Sequence, residues 1–272
     1  MTAFAVARME LLIARRNMWV VVSVFVMSLF ATVLTLAGGA ASAKLGVDPL
    51  VVATGSLTTM LVYLVPLIAL LLSFDAIAGE AERGTLALAL TYPLGRASIL
   101  LGKFFAHLTV LAVAIGAGLL ICVALTIRQH GFAGHSWGPV GVLFVTALAL
   151  AAAFLGLGYA ISARLRSASM AAGAVTLLWL LFVVLYDLGL LAALVADDGG
   201  AFTTRLFPWL LVANPADAFR LLNLPEASVA ALGSDLDAAG RISGLSWPLA
   251  SLLLWPLAAF ALAWVVFRRA EP

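Results

Sequence analysis

Six long apolar runs, almost free of charged residues, constrain this chain more than any other feature of its sequence. Each run is close to or above the roughly 20 residues that a helix needs to cross the hydrocarbon core of a bilayer. Hydrophobic residues make up 64% of the chain and charged residues 10%, against about 45–50% and about 25% in soluble domains. Lipid must therefore solvate the chain, and in lipid the backbone must bond to itself, as it does in a helix. The predicted transmembrane helices cover residues 19–37, 50–74, 104–127, 137–163, 168–196 and 245–267.

We predict an all-α integral membrane protein with a single transmembrane domain over residues 1–272. An even number of spans places both chain ends on one side of the membrane. If that side is cytoplasmic, ten of the 15 Lys and Arg residues lie in inner segments, and three of the other five lie in one long outer loop. Because basic residues concentrate in short cytoplasmic loops, we expect cytoplasmic termini in a bacterial inner membrane. The net charge of +2 is too small for the basic surface of a nucleic-acid-binding protein.

The residues before the first span predict a short amphipathic helix. Over residues 4–16, apolar side chains fall on one side at 100° per residue, while Arg8 and Arg15 fall on the other, and Arg16 follows. This pattern is typical of an interfacial helix that lies along the inner leaflet. The alternative is a basic lead-in that only orients the first span.

The segment between the second and third spans, residues 75–103, is the most informative polar part of the chain. Acidic residues precede a short helical run at Ala87–Thr91, which suits a helix N-terminus, and Pro93 and Gly95 then predict a turn. A simple connector needs only a few residues. We therefore expect a cytosolic helix that docks onto a partner, with candidate contact residues Glu80, Glu82, Arg83, Gly84, Thr85, Leu86 and Arg96.

Glycines in the same segment resemble a phosphate-binding loop but do not fit one. Gly79 and Gly84 have the spacing of a Walker A loop, yet the lysine that follows in that motif is missing. Two glutamates between them would repel phosphate. One cysteine and the two neighbouring histidines, His130 and His135, supply too few ligands for a metal site. We predict that this chain binds no cofactor and no metal.

The longest segment outside the spans is the outer loop, residues 197–244. Its apolar stretch Phe207–Ala213 is too short to span, so we predict a re-entrant element that dips into the outer leaflet. An asparagine, a proline and an aspartate then follow at the N-cap, N1 and N3 positions of a predicted helix that ends near Pro225. The candidate residues for this element, or for contact with a periplasmic partner, are Trp209, Asn214, Pro215 and Asp217.

Asp187 is the one acidic residue within the six runs. Such a residue marks a candidate substrate path. It also lies 19 residues beyond Ala168, about 28 Å along a helix, so the alternative is the outer interface, where Gly189 is expected to break the helix. An intramembrane enzyme would have to combine His107, Cys122 and Asp187, which lie at different depths. We predict no catalytic residue.

Several of these features together resemble ABC-2 type permeases. The resemblance covers six spans, an N-terminal interfacial helix and the motifs Glu80-x-x-x-Gly84-Thr85-Leu86, Pro93-x-x-Arg96, Gly102-Lys103 and Asn214-Pro215. A closer similarity is to the members of this family that serve the maturation of nitrous oxide reductase. It is carried by residues 66–72, 75–80, 91–96, 100–103 and 214–223.

The resemblance implies a non-catalytic permease subunit with several partners. They are a second copy of the chain, a cytosolic ABC ATPase that binds ATP and magnesium, a periplasmic β-helical protein and, if copper is the cargo, a copper chaperone lipoprotein. It makes the segment 75–103 the coupling helix that docks into the ATPase, and it implies a role in assembling the copper–sulfur centre. Whether the cargo is a sulfur species or copper stays open. The alternative is a general ABC-2 exporter of a small molecule, lipid or polysaccharide.

Overall fold

The computed structural model describes residues 3–14, 18–45, 48–91, 95–132, 134–197, 199–223 and 246–270. Within these ranges the chain is helical and contains no strand. The α-helices are α1 Ala3–Ala14, α2 Met18–Leu45, α3 Pro49–Ser73, α4 Asp75–Glu82, α5 Thr85–Thr91, α6 Arg96–His130, α7 Gly138–Arg164, α8 Ala168–Trp179, α9 Tyr186–Asp197, α10 Phe207–Ala213, α11 Pro215–Asn223 and α12 Ser246–Arg269.

Within the described ranges, six helices are long and apolar enough to cross a membrane, which confirms the predicted all-α, six-span fold. The spans are α2, α3, α6, α7, the pair α8 and α9 joined by a π-helical turn at Leu180–Leu185, and α12. The third span begins at Arg96, eight residues before the predicted start at Phe104. The helix extends because the two basic residues of this first stretch find partners inside the protein.

The predicted helix break at Gly189 is wrong. Helix α9 runs through Gly189 to Asp197, because a single glycine weakens a helix interior without ending it. The irregularity of the fifth span occurs earlier, at the π-helical turn Leu180–Leu185. A π-turn shifts the backbone hydrogen-bond register by one residue and leaves carbonyl groups available to other partners.

The fourth span, α7, is the centre of the bundle and packs against α3, α6 and α12. Two of its glycines allow this close approach, because small residues let transmembrane helix backbones pack closely. A Cβ atom at Gly156 would lie 2.7 Å from the Cβ of Ala259 on α12, and one at Gly158 would overlap the hydroxyl of Ser73 on α3. Because these contacts lack room for a methyl group, the two glycines fix the distances of α12 and α3 from α7.

The two chain ends lie at the same end of the bundle. Helix α1 packs along α6 through Glu10 and Lys103, and the end of α12 contacts Arg96. We call this end, with α4 and α5, the inner face, and the opposite end, with α10 and α11, the outer face. Helix α1 matches the predicted N-terminal helix and exposes Arg8. Arg15 and Arg16 lie outside the described residues.

The first and fifth spans expose many large apolar side chains. Phe25 and Phe30 on α2, and Leu181 and Leu191 in the fifth span, are all more than two-fifths exposed. Such faces are unfavourable in water but match lipid or another transmembrane helix. The protein is therefore a multi-pass membrane protein.

Substitution Gly156→Ala should destabilise the fold because the new methyl group would meet Ala259 and its backbone. Overpacking of this kind costs about 1–3 kcal/mol. The control is Gly173→Ala in α8, where nothing lies within 4 Å of the new atom. Thermal unfolding in detergent should show a lower midpoint for Gly156→Ala and none of this loss for Gly173→Ala. Equal midpoints for the two variants would contradict the proposed close contact.

Candidate functional site

The polar segment on the inner face forms two short helices rather than one. The sequence predicts acidic residues ahead of a helical run at Ala87–Thr91, but the acidic residues themselves lie in α4, which follows α3 almost directly. Gly84 then adopts a left-handed backbone with φ of 71°, a conformation that favours glycine. Helix α5 runs from Thr85 to Thr91. The residues 92–94, with the predicted turn at Pro93, lie outside the described residues.

Ser162 of α7 holds the junction between α3 and α4. Its buried hydroxyl donates to the carbonyl of Phe74 at 2.6 Å and accepts from the backbone N–H groups of Ile77 at 3.0 Å and Ala78 at 2.9 Å. It thus supplies the partners that the end of one helix and the start of the next lack. Sequence reasoning missed Ser162, and the only available signal was a hydroxyl near the inner end of an apolar span.

Lys103 connects three helices. Its Nζ lies 2.6 Å from Oε1 of Glu10 on α1 and 2.6 Å from Oε1 of Glu80 on α4, while its own side chain on α6 is 5% exposed. We call these three residues the inner triad. A buried ammonium needs such partners because its charge is otherwise unfavourable in the interior. Glu80 was a predicted site residue, whereas the part played by Glu10 and Lys103 was missed.

Two further polar residues of the segment cap the ends of other spans. Oε2 of Glu82 accepts from the first backbone N–H of α8, at Ala168, over 2.8 Å. Nη1 of Arg96 donates to the last carbonyls of α12, at 3.1 Å to Phe267, 2.9 Å to Arg268 and 2.8 Å to Ala270. A carboxylate at a helix start and a guanidinium at a helix end also suit the helix dipole.

In the described ranges, the tip of the segment makes contacts within the segment but no hydrogen bond to another span. Arg83 makes a pair of 3.4 Å with Asp75 that is open to solvent on both sides, and Gly84 has nothing within 4 Å of its missing side chain. Thr85 bonds only the carbonyl of Glu80, at 3.2 Å, while Leu86 is buried beneath it. The predicted site residues therefore divide into an anchored set and the exposed tip formed by Arg83, Gly84 and Thr85.

On the outer face, Asn214 caps α11 as predicted. Its Oδ1 accepts from the N–H of Ala216 at 3.1 Å, and Pro215 begins the helix, which ends at Asn223. Its Nδ2 donates to the carbonyl of Phe182 at 2.8 Å, inside the π-turn of the fifth span. The carbonyl of the π-helical turn thus holds the start of α11 against the fifth span.

Aromatic residues cover the outer surface beside this helix. The apolar helix Phe202–Ala213, which includes α10, is too short to span, and its Trp209 packs edge-on against Trp247 of α12 with ring centroids 5.5 Å apart. Both rings are about half exposed. Trp side chains in this position are typical of the bilayer–water interface.

The side chains that an intramembrane enzyme would combine have separate partners. His107 bonds the hydroxyl of Tyr159 at 2.6 Å, Cys122 is buried on α6, and Asp187 pairs with Arg220 at 2.9 Å on the outer face. His107 belongs to the inner half of α6, four residues after Lys103. Across the described ranges, no three His, Cys, Asp or Glu side chains group closely enough to hold a metal ion.

Comparisons with known proteins agree with one another. The model of the family described as ABC-2 family transporter protein matches residues 4–271. The chain is 41% identical over 271 residues to a probable ABC transporter permease protein NosY of Pseudomonas aeruginosa, covering 98% of each chain. It is 39% identical over 274 residues to the protein of the same name from Stutzerimonas stutzeri, covering 97% of each.

Removing the cation of the inner triad should destabilise the inner face. In Lys103→Met, Glu10 and Glu80 would face each other without a partner. Breaking a buried pair costs about 3–5 kcal/mol, and the partial exposure of these two carboxylates lowers the expected cost to about 2–3 kcal/mol. Limited proteolysis of α1 and thermal unfolding would measure it. Neutralising both acids in the same variant, with Glu10→Gln and Glu80→Gln, should recover most of the loss; a Lys103→Met protein as stable as wild type would contradict the role.

Proposed function

The chain belongs to the ABC-2 family of transporter proteins, and from that premise we propose that it is the non-catalytic permease subunit of an ABC transporter, driven by a separate cytosolic ATPase. ATP and magnesium bind that ATPase, which resembles NosF. The inner face is the cytoplasmic face, so that both termini lie in the cytoplasm of a bacterial cell with this chain in its inner membrane. Ten of the 15 basic residues lying on that side support the orientation.

The observation that carries the proposal is the way the inner segment is tied to the spans. Ser162 links α4 to the fourth span, Glu82 links it to the fifth, and the inner triad links it to the third and to α1. Arg96 adds the end of the sixth span. A force applied to α4 and α5 is therefore transmitted to four spans through hydrogen bonds and ion pairs that are already formed. This is what a coupling helix requires.

The exposed tip is the docking surface for the ATPase in this proposal. Arg83, Gly84 and Thr85 point away from the bundle, and no side chain of the described ranges covers Gly84. A glycine at the tip lets the backbone approach another protein closely. Leu88, which is exposed on the next helix, provides an apolar contact. When the ATPase subunits close on ATP, the tip would move with them as a rigid lever.

The outer face is the proposed contact for a periplasmic partner. The relatives are named NosY, and the sequence resemblance implies a NosD-like β-helical protein and a role in assembling the copper–sulfur centre of nitrous oxide reductase. Trp209 and α11 offer an aromatic and polar surface for such a partner. The stretch Phe207–Ala213 would dip into the outer leaflet as a re-entrant element. The cargo is then a sulfur species or copper, the latter supplied by a lipoprotein chaperone.

The chain is proposed to act as a homodimer within the bilayer. The first and fifth spans carry the broad exposed apolar faces described above, and lipid or a second copy can cover them. A general ABC-2 exporter of a small molecule, lipid or polysaccharide is the second candidate function, because the family match alone supports it equally well. In that case Asp187, the carboxylate of the fifth span, would be expected to line the substrate path.

A bulky charge at the exposed tip should uncouple the ATPase from the permease. Gly84→Arg adds a long cation where the partner would approach and also strains a left-handed backbone. Gly84→Ala adds the strain without the bulk, and Gly134→Arg repeats both at an equally open, left-handed glycine on the outer face. Of these three variants, we expect only Gly84→Arg to lower the stimulated activity of the partner ATPase, by at least about tenfold. The activity is measured on the assembled complex in lipid nanodiscs. Full ATPase activity of a correctly assembled Gly84→Arg complex would contradict the assignment of the exposed tip as the docking surface.

Purification of the tagged chain from its own membranes, with mass spectrometry of the proteins that accompany it, separates the candidate functions. A stoichiometric ATPase together with a periplasmic repeat protein supports the maturation of a copper enzyme. The ATPase alone supports the exporter. A chain that purifies alone in mild detergent contradicts the permease proposal as a whole.

A further inference from the structure

A second ion cluster, on the outer face, joins α11 to the fifth span. The guanidinium of Arg220 lies between two carboxylates, with Nη1 2.8 Å from Oδ1 of Asp217 and Nη2 2.9 Å from Oδ2 of Asp187. Asp217 and Arg220 belong to α11, whereas Asp187 belongs to α9. We call these three residues the outer triad.

The outer triad carries one negative charge too many when both carboxylates are ionised. Asp217 is 1% exposed, and its second oxygen accepts a hydrogen bond from the neutral amide of Asn214, at 3.0 Å. A carboxylate in such a site is unfavourable unless a full positive charge compensates it. Here Asp217 shares the positive charge of Arg220 with Asp187. One proton restores neutrality.

We propose that the outer triad binds one proton from the outer side, held by Asp217, and that this proton fixes α11 on the fifth span. The protonated carboxyl of Asp217 can donate its hydrogen to Asp187, while Arg220 balances the charge that remains. Loss of the proton leaves two carboxylates competing for one guanidinium, and their repulsion acts along the line that joins α11 to α9. The only covalent change is the breaking of the carboxyl O–H bond, and the proton passes to water on the outer side.

The remaining groups around the cluster do not supply another charge. Tyr186 lies next to Asp187 but donates its hydroxyl to the carbonyl of Leu210 at 2.7 Å. Tyr63 of α3 lies within electrostatic reach of Arg220, and its phenol cannot supply a positive charge. Helix α10 has no ionisable residue, and the charged residues of α7 and α12 lie at the inner face. Among the residues that the structure describes, the charge of the triad therefore depends on its own three members.

The electrostatics of Asp217 agree with this geometry. Burial, and after it the charge of Asp187, raise the pKa of Asp217 to about 7, against the lowering effect of Arg220. A carboxyl whose pKa is raised in the folded state stabilises that state at low pH, and this stabilisation is lost as pH rises through the raised value. Helix α11 should therefore be held tightly in mild acid and more loosely in mild base.

The test is hydrogen–deuterium exchange of α11 in the full chain, reconstituted in lipid nanodiscs, between about pH 5.5 and about pH 8.5, corrected for intrinsic exchange. Wild-type protection of residues 215–223 should fall by roughly tenfold or more across this range. Asp217→Asn should be protected throughout. Asp187→Asn removes the carboxylate whose charge raises the pKa of Asp217, so Asp217 should stay ionised and paired with Arg220 throughout. The loss of protection seen in wild type should therefore be absent from this pH range.

Two controls make the result decisive. Infrared difference spectra over the same range should show a protonated carboxyl band that Asp217→Asn removes, which a purely structural role of Asp217 would not produce. His135→Gln removes a different ion pair on the outer face, in which the hydrogen bond that His135 makes to Asp48 raises the pKa of His135, and it should leave α11 unchanged. Protection that is independent of pH in wild type, or a wild-type midpoint retained in either Asp variant, would overturn the proposal.

Discussion

Wherever a helix in this bundle is interrupted, backbone N–H and C=O groups lose their partners within the helix and need others. The rest of the structure depends on which groups supply these partners. In lipid no water supplies them. At four of these positions a side chain from another part of the chain supplies a partner: Ser162 at the end of α3, Glu82 at the start of α8, Arg96 at the end of α12 and Asn214 at the π-turn of the fifth span. Each cap is also a cross-link, so the short helices move together with the spans that they cap.

The inner face and the outer face each carry a cluster of one cation and two carboxylates. The inner triad and the outer triad each place one cation between two carboxylates that come from different elements. They differ in what surrounds them. The inner ammonium is almost fully buried while its two carboxylates reach solvent. On the outer face the reverse holds: the carboxylate of Asp217 is the buried member, and the guanidinium of Arg220 is partly exposed. The buried member of the inner triad is therefore a cation, whereas the buried member of the outer triad is the carboxylate that the proposed proton neutralises.

The sequence is enough to predict features that depend on local pattern. The six spans follow from apolar length, and the start of α11 follows from the Asn-Pro pair, because the N-cap contact joins neighbouring residues. Ser162 and the pairing of Lys103 with Glu10 could not be predicted, since they join residues 85 and 93 positions apart. The early start of α6 was missed for the same reason: a basic residue ends a predicted span unless its distant partner is known.

Helix α7 connects the two faces with bonds at both of its ends. At the inner end Ser162 holds α4, and at the outer end the hydroxyl of Thr146 accepts from Nδ2 of Asn223 on α11 at 2.9 Å. The two positions lie 16 residues apart, about 24 Å along a helix. The glycines that seat α7 against α3 and α12 leave little room for it to bend alone. A tilt imposed on α4 would thus reach α11 as a rigid displacement, and at that point the protonation of Asp217 would decide whether α11 follows the fourth span or stays with the fifth.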